Sequence, residues 1–160
     1  SSWIYNSMDL SVSNLEIISS PSGILSVGFV EKDASSRADY QQISKQLKEY
    51  FLGTRTKFDI KLDLNGTPFQ LKVWRALQNI PYGKTATYQG IANKIKQPKA
   101  VRAVANAIGA NPIAIIIPCH RVIRSNGTIG GYKWGASLKN QLLQLEERWV
   151  VGMNFVFIRT

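Results

Sequence analysis

The chain has little cysteine and histidine, the two residue types that most often form disulfides or bind metal ions in small proteins. Its 160 residues include a single cysteine, Cys119, and a single histidine, His120. One cysteine cannot form an internal disulfide, which favours an intracellular protein. One cysteine and one histidine also cannot complete a four-ligand structural zinc site. We therefore expect no disulfide framework, no bound metal and no cofactor.

Long apolar runs are missing as well. The longest strongly apolar stretch, residues 113–117, is far shorter than the ~20 residues that cross a bilayer as a helix. The first residues show no basic segment followed by an apolar one, as a secretory signal would. We therefore expect a cytoplasmic, bacterial-like protein that has no membrane partner and acts as a monomer.

Acidic residues are scarce in one half only. Residues 1–66 hold 7 Lys/Arg and 8 Asp/Glu, a net charge of −1, whereas residues 67–160 hold 13 Lys/Arg and 2 Asp/Glu, a net charge of +11. Such an asymmetry indicates two different halves, of which the second suits a polyanion. Nucleic acid is the first candidate, and a generic solubilising surface is the alternative.

The first half has the pattern of a small α/β unit. Two strands are predicted over residues 15–18 and 24–30, on either side of the turn Pro21-Ser22-Gly23. Apolar residues at helical spacing predict a helix over 38–52 that stops at Gly53. Alternation over 58–64 predicts a third strand with one buried face.

The turn Asn65-Gly66-Thr67-Pro68 marks the predicted boundary between a domain of residues 1–66 and a domain of residues 67–160. Nothing before this turn carries catalytic chemistry. We therefore interpret the first domain as a scaffold.

The second half begins with three short predicted helices. The first covers residues 69–80 and is broken by Pro81-Tyr82-Gly83; Thr87 caps the second, which runs to Ile95; the third starts at Pro98. In the third, Lys99, Arg102 and Asn106 lie opposite the apolar stripe. This pattern fits a helix-turn-helix that binds DNA, and a plain helical hairpin with a solvated face fits it too. The local positive charge favours DNA.

The last part of the chain surrounds the only cysteine. A run of residues 113–117 that should be buried leads to Pro118-Cys119-His120-Arg121, and Ser125-Asn126-Gly127 predicts a hairpin turn. A final helix is predicted from Ala136 to Trp149. Its spacing turns Glu146 toward the protein and Glu147 away from it.

A thiol is a strong nucleophile only as the thiolate, so Cys119 needs a nearby base or positive charge. His120 is the only imidazole, and Arg121 adds charge beside it. The alternative is a small buried hydrophobe, which is the commonest role of a lone cysteine.

Cys119 and His120 are neighbours, and in extended chain neighbouring side chains point to opposite sides. A bridging water could then carry the proton between them, and a carboxylate would orient the imidazole. Only two acids exist in this half, and Glu146 is the one that faces inward. These residues favour a relay of Cys119, a water, His120 and Glu146.

The motif Ile117-Pro118-Cys119-His120-Arg121-Val122 resembles the active-site motif of the O6-alkylguanine-DNA alkyltransferases, also called methylated-DNA–protein-cysteine methyltransferases. The resemblance extends, in family order and spacing, over roughly residues 67–147. It includes Phe69-Gln70, Val73-Trp74, Ile80-Pro81-Tyr82-Gly83, Thr87-Tyr88, residues 98–104, Asn111-Pro112, Gly131-Tyr132 and Leu142-Leu143 with Glu146.

This resemblance implies an α/β (α+β) fold. A small N-terminal α/β sheet domain would precede a mainly helical, winged helix-turn-helix-like domain that carries Cys119. It also implies DNA repair: Cys119 would irreversibly take the methyl or other alkyl group from O6-methylguanine in duplex DNA, and we expect the same for O4-methylthymine. The thioether product cannot be reversed, so one molecule would repair one lesion.

The resemblance also assigns site residues. Tyr88 would rotate the phosphate and protonate the leaving guanine, and Arg102 would fill the gap left by the flipped base from the minor groove. The carbonyls of Cys119 and Val122 would hold the guanine amino group, while Asn111 braces the loop. Tyr132, Lys133 and Trp134 would complete the pocket. The expected DNA-binding residues are Arg102, Thr87, Lys99, Ala103, Asn106 and Arg124.

Two features depart from the commonest family pattern. Lys133-Trp134 is bulkier than in many relatives and predicts a narrower pocket that favours methyl over benzyl groups. Arg124 stands just after the motif, where small residues are frequent in the family. It is either a contact to a DNA phosphate or a solvated side chain. Three other functions fit the sequence less well. A lesion-binding protein without transfer would lack the cysteine, as the known examples do, and a cysteine hydrolase is disfavoured by the adjacency of Cys119 and His120 and by the basic helix-turn-helix. A winged-helix transcription factor would leave the cysteine motif unexplained.

Overall fold

An antiparallel hairpin begins the part of the chain that the structure, a computed structural model, describes, namely residues 13–31 and 41–159. Strand β1 (Ser13–Ser20) pairs with strand β2 (Gly23–Glu31), with one irregularity in register between Ile18 and Ser19. Gly23 has a φ of 146°, which glycine adopts far more readily than other residues. The predicted hairpin is confirmed.

Helix α1 (Gln41–Phe51) follows and packs its apolar side into the core. Ile43, Leu47, Tyr50 and Phe51 are all buried, as their spacing predicts. The helix ends ahead of Gly53, whose φ of 82° lies in the left-handed region and suits a helix terminus. The predicted start, residues 38–40, lies outside the described residues.

The prediction of a third strand over residues 58–64 is wrong, because this segment does not form a hydrogen-bonded ladder with a neighbouring strand. The segment is extended and buries the expected side chains in part, but its only bridge joins Leu62 to Ile24 of β2. Farther along β2, Val27 pairs instead with Ile113 from the second half of the chain. The free edge of β2 is thus divided between two segments, so neither segment forms a ladder.

Helix α2 (Pro68–Gln78) begins the second half at a capping box. The Thr67 hydroxyl accepts from the Gln70 amide at 3.1 Å, and the Gln70 side chain accepts from the Thr67 amide at 3.0 Å; this reciprocal pattern satisfies two otherwise unpaired donors. The buried Trp74 indole donates to the Ala107 carbonyl at 2.9 Å and fixes α2 against helix α4 (Val101–Gly109).

Helix α3 (Tyr88–Lys94) and α4 form the predicted pair of short helices. The Thr87 hydroxyl caps α3 by accepting from the Gly90 amide at 2.9 Å. Helix α4 starts at Val101 and not at Pro98, because residues 98–100 form a turn in which the Ala100 amide donates to the Gln97 carbonyl at 2.9 Å.

The final part of the chain holds the cysteine in a short turn that packs against helix α5 (Ala136–Arg159). Strand β3 (Ala86–Thr87) pairs in parallel with β4 (Val122–Ile123), directly after a 3-10 turn over Cys119–Arg121. The predicted turn at residues 125–127 is present: the Gly127 amide donates to the Arg124 carbonyl at 2.9 Å.

Helix α5 (Ala136–Arg159) continues past the predicted end at Trp149. Glu146 is buried and Glu147 is exposed, as the helical spacing predicts. None of the described helices is both long and apolar enough to cross a membrane.

Candidate active site

Cys119 lines a small cavity and lies at the start of the 3-10 turn that follows the largely buried run from residue 113. The cavity has a volume of about 210 Å³, which is below the range of sites for drug-sized ligands and suits a ligand of the size of one base. Its lining brings together four predicted site residues (Tyr88, Cys119, Tyr132 and Lys133) with Ala105, Ile108, Gly109 and Gly131.

The thiol of Cys119 is protonated in the resting site. Burial raises the pKa of this thiol, while the Asn111 side chain, the Lys139 ammonium and the backbone of the turn act in the opposite direction. Because burial prevails, the thiolate needs a base that takes the proton. Two positive charges, those of Lys139 and Lys133, then favour the anion that results.

His120 is the candidate base, and Glu146 fixes its tautomer. The imidazole is fully buried, and its Nε2 lies 2.6 Å from Glu146 Oε2. Burial lowers the pKa of His120 below its usual value, against the opposing effect of Glu146, so the ring is neutral at pH 7. The ionised carboxylate can only accept a hydrogen bond, so Nε2 carries the hydrogen and Nδ1 presents the lone pair. No side chain among the described residues pairs with Nδ1.

Glu146 is the centre of a buried hydrogen-bond network. Arg121 donates to it through Nε at 2.8 Å and Nη2 at 3.1 Å, and the Gly83 amide donates at 3.2 Å. Burial alone would raise the pKa of Glu146, but the charges and hydrogen bonds of His120 and Arg121 outweigh it and lower the pKa to about 2. The carboxylate is therefore ionised throughout the neutral range. Arg121 was predicted only as a nearby positive charge; here its partner is Glu146.

A fourth donor to Glu146 comes from the first half of the chain. The Tyr50 hydroxyl on α1 lies 2.6 Å from Glu146 Oε2, the same oxygen that holds His120. Sequence analysis identified Tyr50 as a core residue and treated the first half as a scaffold. Helical spacing could not indicate this contact, since the two residues are 96 positions apart.

Asn111 holds the loop that leads to the cysteine. Its side-chain amide donates to the carbonyls of Ile113 and Ile117, each at 3.0 Å, and its oxygen accepts from the Ile113 amide at 2.9 Å. Within the loop Ile115 has a φ of 71°, a conformation that costs a β-branched residue about 1–3 kcal/mol. The Asn111 clamp and the burial of the loop hold this strained conformation in place.

Two tyrosines form polar walls of the cavity. Burial, together with the nearby Cys119, raises the pKa of Tyr132, and burial likewise raises the pKa of Tyr88. Both hydroxyls therefore keep their protons at neutral pH and can act as donors. Gly130 lies beside Tyr88: a Cβ added to it would come within 3.2 Å of the Tyr88 hydroxyl oxygen.

Lys139 is a site residue that sequence analysis missed. Its side chain is fully buried, and its ammonium donates to the carbonyls of Val122 at 2.6 Å and Gly131 at 3.0 Å. One carbonyl with a predicted substrate contact, that of Val122, is therefore already held by the protein. Lys139 lies one helical turn before Leu142 and two before Glu146, so the spacing on α5 was the signal that could have found it.

Lys133 and Trp134 contact different parts of the molecule: Lys133 contacts the cavity, and Trp134 contacts the first half of the chain. Lys133 lines the cavity and reaches the Asn111 carbonyl at 3.4 Å. Trp134 does not line it; its ring packs edge-on against Phe29 of β2 and against Tyr132. Trp134 therefore acts on the cavity through Tyr132.

Most of the predicted DNA-binding residues are exposed. Arg102, Ala103 and Asn106 are exposed on α4, and Lys99 is exposed in the turn before it. Arg124 is exposed beside Gly130, whereas Thr87 has its hydroxyl engaged in capping α3. Among residues 13–31 and 41–159, no cluster of three His, Cys, Asp or Glu side chains could hold a metal ion.

A buried cysteine with a His–Glu pair, beside two short helices that expose basic residues, defines a candidate nucleophilic site. Two family models match the chain: "6-O-methylguanine DNA methyltransferase, ribonuclease-like domain" over residues 3–64, and the DNA binding domain of the same family over residues 68–148. The chain belongs to the 6-O-methylguanine DNA methyltransferase family.

Individual relatives agree with this family. The methylated-DNA–protein-cysteine methyltransferase of Mycolicibacterium paratuberculosis is 56% identical over 104 residues, which cover 65% of this chain and 63% of that protein. The protein of the same name from Methanosarcina acetivorans is 53% identical over 67% of this chain and 69% of its own length. The bifunctional transcriptional activator and DNA repair enzyme Ada of Escherichia coli is 58% identical, with 26% of its length covered.

A solved structure matches over more of the chain. The crystal structure of Mycobacterium tuberculosis OGT in complex with DNA has a TM-score of 0.72 and 41% identity, covering 84% of this chain and 93% of that one. The shared fold thus includes the first half, where the sequence resemblance is looser.

Proposed function

We propose that this protein repairs DNA by transferring the methyl group of O6-methylguanine, and of O4-methylthymine, from duplex DNA to Cys119. One observation carries the proposal: the only cysteine of the sequence lines a base-sized cavity, together with residues of α4, and is followed by a histidine that a buried carboxylate orients. The mycobacterial relative whose structure matches was crystallised with DNA. The reaction needs no metal or cofactor, because the substrate supplies the group and the protein accepts it.

The transfer starts with removal of the thiol proton. His120 Nδ1 takes this proton through one bridging water, because the Nε2 hydrogen is engaged by Glu146. The imidazolium that forms is stabilised by the Glu146 carboxylate. The Cys119 thiolate then attacks the alkyl carbon in line, and the bond between that carbon and the guanine oxygen breaks.

The leaving guanine takes its proton from Tyr88, which becomes a phenolate; the proton that His120 took from the thiol then returns through water to Tyr88, so both side chains end neutral. The raised pKa of Tyr88 keeps this hydroxyl protonated while the thiolate is present, and protonating the leaving group avoids a full anion, which is worth roughly 10²–10⁴-fold in rate. The product is guanine and a thioether at Cys119. A thioether is not opened by water, so the protein acts once.

Recognition of the base rests on the cavity lining. The carbonyls of Cys119 and Val122 accept from the guanine amino group, with Lys139 holding the Val122 carbonyl in position. Asn111 keeps the loop in shape, and Tyr132 closes one side. Lys133 and Trp134, the first by lining the cavity and the second by supporting Tyr132, restrict it to small alkyl groups.

The alkylated oxygen lies inside the duplex, so the nucleotide must be flipped out, at a cost of a few kcal/mol. Arg102 is exposed on α4 and fills the gap from the minor groove. Lys99, Ala103, Asn106, Thr87 and Arg124 surround it on the DNA. Residues 1–66 and 67–160 form two domains that act as one cytoplasmic monomer, of which the second carries the chemistry.

Intact and peptide mass spectrometry tests the transfer. The protein is mixed with excess duplex DNA containing O6-methylguanine, and with unmodified duplex as a control. We expect one added methyl group, confined to the Cys119 peptide and stopping at one equivalent. No mass change with DNA binding retained would leave a protein that only recognises lesions.

The size limit is tested separately with two lesions of the same chemistry. O6-methylguanine should react faster than O6-benzylguanine in single-turnover assays, because about 210 Å³ leaves little room beyond the base. Equal rates would contradict the narrow cavity. Lys133→Ala should then narrow the difference by opening one wall.

A further inference from the structure

The Tyr50 hydroxyl is aimed at the atom that orients the candidate base. It lies 2.6 Å from Glu146 Oε2, and His120 Nε2 lies 2.6 Å from the same oxygen. Tyr50 is fully buried, and its ring packs edge-on against Phe51 and Tyr82, with centroids 5.4 and 6.0 Å away. The hydroxyl is therefore held by packing in a single direction.

The two donors share one negative charge. A hydrogen bond to an ionised group is stronger than one between neutral groups. Each hydrogen bond that a carboxylate accepts stabilises its charged form and lowers its basicity, so a further donor leaves the carboxylate less able to stabilise the imidazolium. The Gly83 amide donates to the other oxygen, Oε1, and the Arg121 guanidinium donates to Oε1 at 2.8 Å and to Oε2 at 3.1 Å. Tyr50 is thus the neutral donor that competes with His120 at Oε2.

We propose that Tyr50 is a positioning residue of the relay: through Glu146 Oε2 it fixes the His120 imidazole and limits how strongly Glu146 stabilises the protonated ring. This inference rests on the proposed function of His120 as the base. It gives the first half of the chain a part in the chemistry, although that half contains none of the family motifs we identified.

The electrostatic surroundings define the sign of the effect. His120 faces Glu146 and Lys139 from α5 and Arg121 from its own turn, while Tyr50 faces Glu146, Arg121 and Tyr82. Tyr50→Phe keeps the ring and removes only the hydroxyl. Glu146 then has one donor fewer, so the imidazolium is stabilised more and the pKa of His120 rises.

The first experiment titrates His120 by NMR in the untagged full-length protein. The chain has one histidine, so the imidazole nitrogen signals need no assignment. We expect the titration midpoint to move to higher pH in Tyr50→Phe. Phe51→Leu is the control, since Phe51 is buried against Tyr50 and its loss weakens the core without removing a donor to Glu146. An unchanged midpoint in Tyr50→Phe, or an equal shift in both variants, would overturn the proposal.

The second experiment measures single-turnover methyl transfer in a double-mutant cycle with Glu146→Gln. We expect Tyr50→Phe to slow transfer about tenfold in the wild-type background, because Glu146 and the imidazole it orients lose their fixed position. The raised pKa of His120 should also move the acid limb of the rate profile to higher pH. In the Glu146→Gln background the same substitution should change the rate less than twofold. Equal effects in both backgrounds would show that Tyr50 acts only on the core.

The two experiments separate this inference from the proposed function. The NMR titration uses neither DNA nor an alkyl group, so a shifted midpoint supports the Tyr50 contact even if no methyl transfer is found. Transfer that is normal in Tyr50→Phe at every pH refutes the positioning role while leaving the alkyltransferase activity intact.

Discussion

The two halves of the molecule contribute to the site in opposite ways. The second half, residues 67–160, has a net charge of +11 and supplies the nucleophile, the candidate base, its carboxylate and the basic helix pair. The first half has a net charge of −1 and reaches the site through Tyr50, and through Phe29 behind Trp134. Chemistry that depends on neighbouring residues can be predicted from a pattern in the sequence, whereas contacts between distant segments, such as that of Tyr50 with Glu146, cannot.

The largest effect expected is that of Cys119→Ser, which removes the nucleophile from the second half. The serine hydroxyl is a far weaker nucleophile than a thiolate at neutral pH, so we expect no detectable alkyl transfer. DNA affinity should remain within about twofold, because the exposed basic side of α4 is unchanged. Transfer assays and binding titrations on O6-methylguanine duplex measure the two quantities. Residual transfer at the wild-type stoichiometry would contradict the assignment of Cys119.

The next effect is that of Glu146→Gln, which changes the residue where the two halves meet. We expect transfer to slow by roughly 10²-fold, within the range of general-base catalysis, because the amide no longer stabilises the imidazolium. Glu147→Gln is a matched control, since Glu147 is the neighbouring acid and is exposed. Similar rates for the two variants would remove Glu146 from the relay.

The same pair of variants also predicts the response to acid. Glu146 has a pKa of about 2 in the folded protein against 4.5 ordinarily, so its contribution to stability is present above about pH 4.5 and is lost as the pH falls toward 2. The lowered pKa of His120 acts in the same direction below pH 6.5. Wild type and Glu147→Gln should lose unfolding free energy steeply between pH 4.5 and 2, and Glu146→Gln less steeply. Parallel denaturation curves would disprove this linkage.

Much of the fold and part of the site could be predicted from the sequence, because they depend on local patterns. Turn residues and helical spacing predict the β1–β2 hairpin, the three short helices α2, α3 and α4, and the burial of Glu146 on α5. The missing strand at residues 58–64 did not follow, since pairing depends on which segment reaches the edge of β2. The Arg121–Glu146 pair and the Tyr50–Glu146 contact also depend on segments that are distant in the sequence, and no periodicity indicates those contacts.

A smaller effect is expected for Arg102→Ala, which tests the DNA side of the second half. Flipping a base costs a few kcal/mol, and we expect Arg102 to offset part of this cost by filling the gap. Its loss should therefore slow repair of duplex DNA about tenfold. Reaction with free O6-methylguanine base should be unchanged, because no duplex has to open. Arg75→Ala is the control, an exposed arginine on α2 outside the helix-turn-helix. Equal losses on duplex and free base would argue against a role in flipping.

The smallest effect expected concerns Lys139, a buried charge that belongs wholly to the second half. Burial lowers its pKa from 10.5 to about 8, so between these values the unfolded chain keeps a proton that the folded chain has released. Folding therefore becomes more favourable for wild type as the pH rises from about 8 to 10.5. Lys139→Met lacks this linkage, and the exposed Lys94→Met should retain it. Denaturant unfolding at pH 7 and pH 10 measures the difference: relative to Lys139→Met, both wild type and Lys94→Met should gain stability at the higher pH. If all three proteins change in parallel, Lys139 keeps its proton when folded, and its charge beside Cys119 is then fixed throughout the working range.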